Sequence, residues 1–232
     1  MIVLSIDSAM NGCSVCVYDA QNDTVHAQRD TAMVRGQAEA LMPMVNDVLS
    51  DADMTFQDLN LIAVTQGPGA FTGMRIGLAT AKSIGMVVGV PVVGVGCFDA
   101  IMRTYGANKG HSDVSGPVIV LLETKRKDFY VQVYASGDAQ KIGDPSVMMC
   151  HEIDALSESD EAIFIGDGVT RYQKETTKTV KTHFIEKPLA SEVARLGVEV
   201  YNQSPEKVSS DPVYLRMPEI GKPKNPPRKL EQ

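Results

Sequence analysis

The chain has 232 residues, of which 44% are hydrophobic and 22% are charged, and its formal net charge is −7. This length suffices for one large domain or for two smaller lobes, each with its own core. A net negative chain is poorly suited to hold a polyanion such as RNA by itself, because that affinity depends mainly on Lys and Arg. The apolar stretches are too short or too interrupted to span a bilayer. Residues 1–7 predict a strand rather than a secretory signal, so we expect a cytoplasmic protein without membrane contact.

The N-terminal part of the sequence alternates strands and helices in an order typical of an α/β layer. Turn residues at Asn11-Gly12 and at 21–23 separate the first three strands. The first helix has apolar residues at helical spacing, although Pro43 inside it removes one backbone hydrogen bond. The predicted strands cover 2–7, 12–19, 23–30, 61–65 and 91–95, and the predicted helices cover about 36–53 and 71–88.

A second lobe is predicted to begin near Phe98. The sequence thus divides into a first lobe at 1–97, a second lobe at 98–220 and a tail at 221–232. The tail is rich in Pro and Lys with almost no apolar residues, a composition that predicts disorder. Whether the last helix packs back on the first lobe stays open. The elements predicted in the second lobe are strands at about 117–123, 128–135 and 162–166 and a helix at about 189–202.

Cys13 and Cys16 have the C-x-x-C spacing that occurs in metal and redox sites. They lie in a predicted strand, however, where residues three positions apart point to opposite faces of the sheet. The pair is therefore poorly placed to share a metal ion or to form a disulfide. We interpret both as small buried hydrophobic residues, which is the usual role of a free cysteine.

A glycine-rich segment, Gly-Pro-Gly-Ala-Phe-Thr-Gly-Met-Arg-Ile-Gly at 67–77, connects a strand to a helix. Backbone N–H groups at a helix N-terminus can bind phosphate, so Gly67 and Gly69 are candidates for a vestigial nucleotide site. The Walker pattern needs a Lys after such a loop, and none follows here. We favour a tight turn that lets the helix pack closely on a strand, because small residues recur every four positions. These residues are Gly73, Gly77, Ala81 and Gly85.

Two further features each have a functional and a structural interpretation. Gly166-Asp167-Gly168 follows a predicted strand. Gly166 and Gly168 belong either to a second phosphate loop or to an ordinary strand-to-helix turn, and we favour the turn. Lys125, Arg126 and Lys127 lie at the tip of a predicted hairpin. Whether these cations or those of the tail touch RNA stays open.

Three segments of the sequence together resemble one family. They are 6–8 with 13–15, the glycine-rich segment with its continuation to Lys82, and Pro-Val-Tyr-Leu-Arg at 212–216. By these segments the chain is similar to the TsaB (YeaZ) family. The resemblance implies the actin/Hsp70/sugar-kinase-like (ribonuclease H-like) fold, an α/β architecture of two lobes with mixed sheets flanked by helices. It also implies a non-catalytic role beside the paralogue TsaD, in placing threonylcarbamoyl on adenosine 37 of tRNA (t6A).

The sequence departs from the catalytic members of this fold at two places. Where TsaD carries a metal-binding H-x-x-x-H pattern, Cys97 and Ile101 stand here, and Ile cannot ligate a metal. ATPases of this fold use an Asp on strand one and a Gly two residues later, whereas here Asp7 is followed by Ala9. We favour a capping or turn role for Asp7. The resemblance thus implies no catalytic residue and no cofactor of the chain's own, with ATP and metal belonging to partner subunits.

The resemblance also implies which molecules the chain contacts. They are TsaD in a heterodimer, TsaE through that complex, a second copy when the chain is alone, and tRNA mainly indirectly. The alternative is a self-sufficient ATPase, kinase or peptidase of the same fold. A peptidase is disfavoured because the sequence has no zinc-binding pair, no G-x-S-x-G elbow and no recognisable Ser or Cys with a His partner. A kinase is disfavoured by the side chain of Ala9.

The two helices of the first lobe are predicted to form a partner surface. The 71–88 helix has apolar residues nearly all round, and a helix that is apolar on every side is buried on every side. One sheet covers only one face, so the rest is covered either by a partner or by the second lobe of the same chain. The resemblance favours a partner. The predicted surface includes Ala40, Met42, Met44, Met74, Gly77, Ala81 and Ile84.

Overall fold

The computed structural model describes residues 1–109, 116–135, 140–156 and 161–216, and these form two five-stranded mixed sheets with flanking helices. The strands of the first sheet are β1 (Ile2–Asp7), β2 (Gly12–Asp19), β3 (Thr24–Ala32), β4 (Leu61–Gly67) and β5 (Val92–Gly96). Those of the second are β6 (Val118–Glu123), β7 (Asp128–Tyr134), β8 (Lys141–Met149), β9 (Ile163–Gly166) and β10 (Lys181–Phe184). The helices are α1 (Gln37–Asp51), α2 (Phe71–Val88), α3 (Cys97–Lys109), α4 (Cys150–Leu156), α5 (Val169–Glu175) and α6 (Ala190–Gln203).

The first sheet has the strand order β3-β2-β1-β4-β5, in which β1 pairs antiparallel with β2 and parallel with β4. Alternation along β1 sends Leu4 and Ile6 into the cluster that α1 and α2 cover. Val3 points to the opposite face, where α6 covers the sheet. The Ser5 hydroxyl on that face donates to the Ala190 carbonyl oxygen (2.6 Å) and so fastens the start of α6 to β1. Both faces of β1 are therefore buried.

The two cysteines of β2 confirm the interpretation of their spacing. Cys13 belongs to the cluster beneath α1 and α2, and Cys16 belongs to the cluster beneath α6. Both thiols are free and buried. Burial raises the pKa of Cys13 to about 11 and that of Cys16 to about 12, so neither is a thiolate at neutral pH. They act as small core residues.

The second sheet has the order β10-β9-β6-β7-β8. One of its faces packs on α4 and α5 around Phe129, Phe164 and Tyr172. The other face contributes Val120 and Ile165 to the same cluster that holds Leu4 and Ile6. Helix α3 lies between the two sheets, since it contacts β4 and β5 of the first and β6 and β9 of the second. The two sheets are therefore joined through one continuous core.

The predicted elements of the first lobe are confirmed to within about two residues, and α1 runs through Pro43 without a break. In the second lobe β6, β7, β9 and α6 are confirmed. The sequence did not predict α3, β8, α4, α5 and β10. The division into lobes stays a prediction, and the predicted disordered tail, 221–232, lies outside the described residues. No helix in the described part of the chain is both long and apolar enough to cross a membrane.

Candidate functional site

The glycine-rich segment packs directly onto the turn that follows β1. The Ala70 N–H donates to the Ala9 carbonyl oxygen (2.7 Å), and the Ser8 hydroxyl donates to the Gly73 carbonyl oxygen (2.8 Å). A Cβ atom at Gly69 would collide with the Ala9 carbonyl oxygen, and one at Gly73 would collide with the Ser8 carbonyl oxygen. Glycine is needed here for the close approach of two backbones. This geometry supports the tight-turn interpretation over a phosphate loop.

Gly67, the other candidate of this segment, makes room for the C-terminal segment 208–216. Its φ is 106°, and a Cβ atom there would lie 2.6 Å from the Met74 sulfur and 2.7 Å from the Val213 carbonyl oxygen. The Val213 N–H donates to the Gln66 carbonyl oxygen (2.7 Å). The segment thus passes across the end of β4, and the space beside Gly67 is filled by other residues of this chain.

Asp7 is completely buried at the end of β1. Its Oδ1 accepts hydrogen bonds from the Thr65 hydroxyl (2.6 Å) and from the Ala9 N–H (3.2 Å), which is the turn role favoured from the sequence. Its Oδ2 is buried and has no hydrogen-bond partner among the residues that the structure describes. Burial raises the pKa of Asp7 to about 6. Asp7 and Ala9 are both completely buried, so the carboxylate is not accessible to a metal–nucleotide complex.

Gly166 and Gly168 form the turn between β9 and α5. Gly166 has a φ of 110°, and a Cβ atom there would collide with the Leu121 carbonyl oxygen. The Gly168 N–H donates to the same carbonyl oxygen (3.0 Å). Both glycines therefore pack against β6. The geometry favours the structural interpretation here as well.

Asp167 lies between these glycines. The sequence indicated it only as part of a turn, but its side chain links elements on both sides of the molecule. Its Oδ1 accepts from the Glu123 N–H at the end of β6 (2.9 Å), and its Oδ2 accepts from the Asn11 side-chain amide in the turn between β1 and β2 (3.0 Å). Burial raises the pKa of Asp167 to about 7, and the nearby Glu123 carboxylate adds to the shift. Its charge therefore changes near neutral pH.

Asp167 is half-buried and lines a cleft of about 800 Å³ between the turn after β1, the start of α2 and the β6–β7 hairpin. We call this space the hairpin cleft. The exposed rings of Phe71 and Tyr214 line it, with their centroids 5.5 Å apart. Lys125 and Arg126 line it from the hairpin tip. Aromatic and cationic side chains thus meet at one opening.

The hairpin tip is confirmed, because Lys125, Arg126 and Lys127 lie in the connection between β6 and β7 and are exposed. Below the tip, Arg171 binds Glu123 through its Nε (2.5 Å) and holds its guanidinium 3.6 Å from the centre of the Phe129 ring. These contacts anchor the base of the hairpin.

Cys97 and Ile101 are both completely buried at the start of α3. Burial raises the pKa of Cys97 well above its usual value, so its sulfur stays protonated and is a poor metal ligand. Among the described residues, no group of three or more His, Cys, Asp and Glu side chains is placed to hold a metal ion. The two positions are core positions in this chain.

The structure corrects the placement of most residues of the predicted partner surface. Ala40 is partly exposed and Met42 is 39% exposed, so both are accessible on α1. The other five are buried against the chain's own first sheet, and a Cβ atom at Gly77 would collide with the Ser8 hydroxyl. Their small or apolar side chains serve packing within the chain. These five residues are Met44, Met74, Gly77, Ala81 and Ile84.

Comparison with known proteins assigns the chain to a family. Residues 31–204 match the family model described as TsaD, tRNA N6-adenosine threonylcarbamoyltransferase. A Bacillus subtilis protein named tRNA threonylcarbamoyladenosine biosynthesis protein TsaB is 29% identical over 94% of this chain and 96% of its own length. The Escherichia coli protein of the same name is 35% identical over 41% of this chain and 40% of its own length. The chain belongs to the TsaB (YeaZ) family.

The solved structure of YeaZ from Pseudomonas aeruginosa confirms the fold expected for this family. It superposes on this chain with a TM-score of 0.78, covering 92% of this chain and 99% of its own, at 20% sequence identity. This chain thus has the expected actin/Hsp70/sugar-kinase-like fold, with two mixed sheets flanked by helices. The TsaB family resemblance inferred from the three sequence segments is thus confirmed.

Proposed function

We propose that this chain is a non-catalytic subunit of the cytoplasmic t6A machinery, which binds TsaD, stabilises its active arrangement and lets TsaE join. Curated relatives named for t6A biosynthesis support the pathway. One observation carries the non-catalytic role. The two positions at which the resemblance places the metal-binding histidines of TsaD are Cys97 and Ile101, and both lie in the core. The chain would then have no cofactor of its own, and ATP and metal would belong to its partners.

The outward face of α2 supports a partner surface. At about 100° per residue, seven uncharged residues of this helix fall within one sector of roughly 120°. Met86 and Val87 at its end are 81% and 86% exposed, so neither side chain packs in the core of this chain. Methionine adapts to different partners, which suits a surface used by a second copy and by TsaD in turn. The seven residues are Thr72, Ile76, Ala79, Thr80, Ser83, Met86 and Val87.

The surface extends onto α1, which contacts α2. Met42 is 39% exposed there, and Ala40 is partly exposed beside it. The alternative interpretation of the sequence was that the second lobe of the same chain covers both helices. The exposure of Met42, Met86 and Val87 argues against this alternative at their positions. We therefore propose that the partner surface consists of the seven α2 residues together with Ala40 and Met42.

Val87→Glu tests this surface. A carboxylate left unpaired in an interface should cost several kcal/mol of association, while the exposed position leaves the monomer folded. Phe184→Glu is the matched control, because Phe184 is 55% exposed on β10 of the other sheet. Light scattering would measure the homodimer, and calorimetric titration would measure binding to the cognate TsaD. If Val87→Glu forms both complexes with unchanged affinity, α2 is not the partner surface.

Modification of tRNA tests the function itself. Cognate TsaD, TsaE and the enzyme that supplies threonylcarbamoyl-adenylate, mixed with an unmodified tRNA transcript, should form t6A only when this chain is added. The variant Asp7→Asn should support the reaction as well as the wild type, since Asp7 is closed off from substrate. Formation of t6A at the same rate without this chain would overturn the proposal.

A further inference from the structure

We infer that Arg75 on α2 is a preformed receptor for a carboxylate of TsaD. This inference rests on the proposed function, in which TsaD covers the outer face of α2. It adds one charged contact to a partner surface whose proposed residues are all uncharged. The contact determines where TsaD docks on that surface, because charge pairs fix the register of an interface.

Two aromatic residues hold the Arg75 guanidinium in place. Its central carbon lies 3.8 Å from the centre of the Phe71 ring, and its Nε donates to the Tyr214 hydroxyl (2.8 Å). A long side chain normally loses rotamer freedom when a partner binds, and this loss reduces affinity. Contacts within the chain have already restricted Arg75, which is nonetheless exposed.

The two terminal nitrogens of Arg75, Nη1 and Nη2, still have hydrogens to donate. Among the residues that the structure describes, neither nitrogen donates a hydrogen bond and no carboxylate forms an ion pair with Arg75. Lys82, the next cation along α2, is by contrast paired with Asp211 (3.3 Å). The planar fork of an arginine matches the two oxygens of a carboxylate. Arg75 therefore presents a carboxylate-binding fork that this chain does not use.

Arg75 lies at the edge of the proposed partner surface. Residues three and four positions apart are neighbours on a helix, so Arg75 adjoins Thr72 and Ala79 of that surface. The surface has seven residues on α2 and two on α1, whereas a stable interface uses roughly 20–30 residues from each partner, so it extends further. On the Arg75 side, α2 is flanked by the C-terminal segment 208–216, whose Val213 is 37% exposed. An interface that extends in this direction covers Arg75.

The charges of this region favour TsaD over a second copy and over RNA. A two-fold dimer brings identical surfaces together, but α2 has no acidic residue and the segment 208–216 has only Asp211, which is already paired. These elements of a second copy thus offer Arg75 no unpaired carboxylate. RNA is held by several cations at once, and Lys82 is neutralised by Asp211. A single unpaired guanidinium beside uncharged residues suits a protein.

Calorimetric titration with the cognate TsaD measures the contact. For Arg75→Gln we expect about 30-fold weaker binding, the low end for removing one partner of a hydrogen-bonded charge pair. Arg75→Lys keeps the charge without the fork and should recover only part of the affinity. Tyr214→Phe removes the acceptor that holds the Arg75 Nε, and we expect about five-fold weaker binding. Full recovery by Arg75→Lys would contradict the preformed fork.

The matched control is Lys174→Gln, which removes the same charge from an exposed position on α5 and should bind TsaD like the wild type. Light scattering then compares the homodimers of the wild type and Arg75→Gln, which we expect to be equally stable. If Arg75→Gln weakens the homodimer as much as the TsaD complex, or weakens the homodimer alone, the carboxylate is not specific to TsaD and the inference is wrong.

Failure of the inference can be distinguished from failure of the proposed function. If Val87→Glu weakens binding to TsaD and Arg75→Gln binds like the wild type, the inference is wrong and the proposed function stands. If the wild-type chain forms no complex with TsaD, the proposed function is wrong, and the inference falls with it.

Discussion

Replacing Asp167 with Asn should stabilise the protein at neutral pH. The Oδ1 of Asp167 accepts from the Glu123 N–H, and its Oδ2 accepts from the Asn11 amide. Asparagine has the same shape, and its carbonyl oxygen keeps the bond to Glu123. The Asn11 amide, turned by half a rotation, then offers its oxygen to the new side-chain NH₂ group. The substitution removes the charge and keeps both hydrogen bonds.

The sign of the effect follows from the raised pKa of Asp167. Burial lifts this pKa from 3.8 to about 7, so the folded protein holds the proton more tightly than the unfolded chain does. The stability that this proton contributes is complete below the unfolded pKa and is lost as the pH rises to about 7. Three pH units at roughly 1.4 kcal/mol each amount to a loss of about 4 kcal/mol. Asp167→Asn does not suffer this loss.

Urea unfolding of both proteins between about pH 5 and pH 8 measures the difference. We expect the free energy of unfolding of Asp167→Asn to exceed that of the wild type by an amount that grows by about 3 kcal/mol and levels off above pH 7. Asp58→Asn is the control, because Asp58 is exposed and a hydrogen bond from the Thr55 N–H lowers its pKa. Its effect should stay constant over this range. A difference for Asp167→Asn that is independent of pH would refute the reasoning.

Three other predictions follow from the packing. Gly73→Ala should lower the free energy of unfolding by about 1–3 kcal/mol, because its Cβ meets the Ser8 carbonyl oxygen; urea unfolding measures this, and an unchanged midpoint would contradict it. Met44→Glu should unfold the chain and Met42→Glu should not, since they are 8% and 39% exposed; circular dichroism distinguishes them. The pure chain should not hydrolyse ATP, and titratable turnover that Asp7→Ala abolishes would contradict this.

Local patterns were enough to predict the strands of the first sheet, although not the order in which they pair. Alternating apolar residues and turn residues mark β1 and β2, and the spacing of apolar residues marks α1. Helix α3 was missed although its signal was present, since Phe98, Ile101, Met102 and Tyr105 have helical spacing and are all buried. Strand β8 contains Gly143 and Pro145 and lies at the edge of its sheet, where such residues are tolerated, and the same residues indicate a turn in the sequence.

The candidate site could not be predicted in the same way, because distant residues form it. Arg75 and Tyr214 are 139 positions apart in the chain, and Asn11 and Asp167 are 156 apart. Each of these residues looks ordinary in its own segment. The differences from the catalytic motifs at Ala9 and Cys97 could be recognised in the sequence, because each concerns a single position in a short motif. Their burial supports the interpretation drawn from them.

Helix α2 shows what the spacing of residues leaves open. The repeat of small residues from Gly73 to Gly85 correctly predicted that they share a face, but it did not say what that face meets. It meets the turn after β1 and the residues around β5, with no room for a Cβ atom at Gly73 or Gly85. A helix fixed this closely cannot shift inward when a partner binds. Adaptation to a second copy or to TsaD would therefore depend on the flexible side chains of the outer face, Met42 and Met86, which are both exposed.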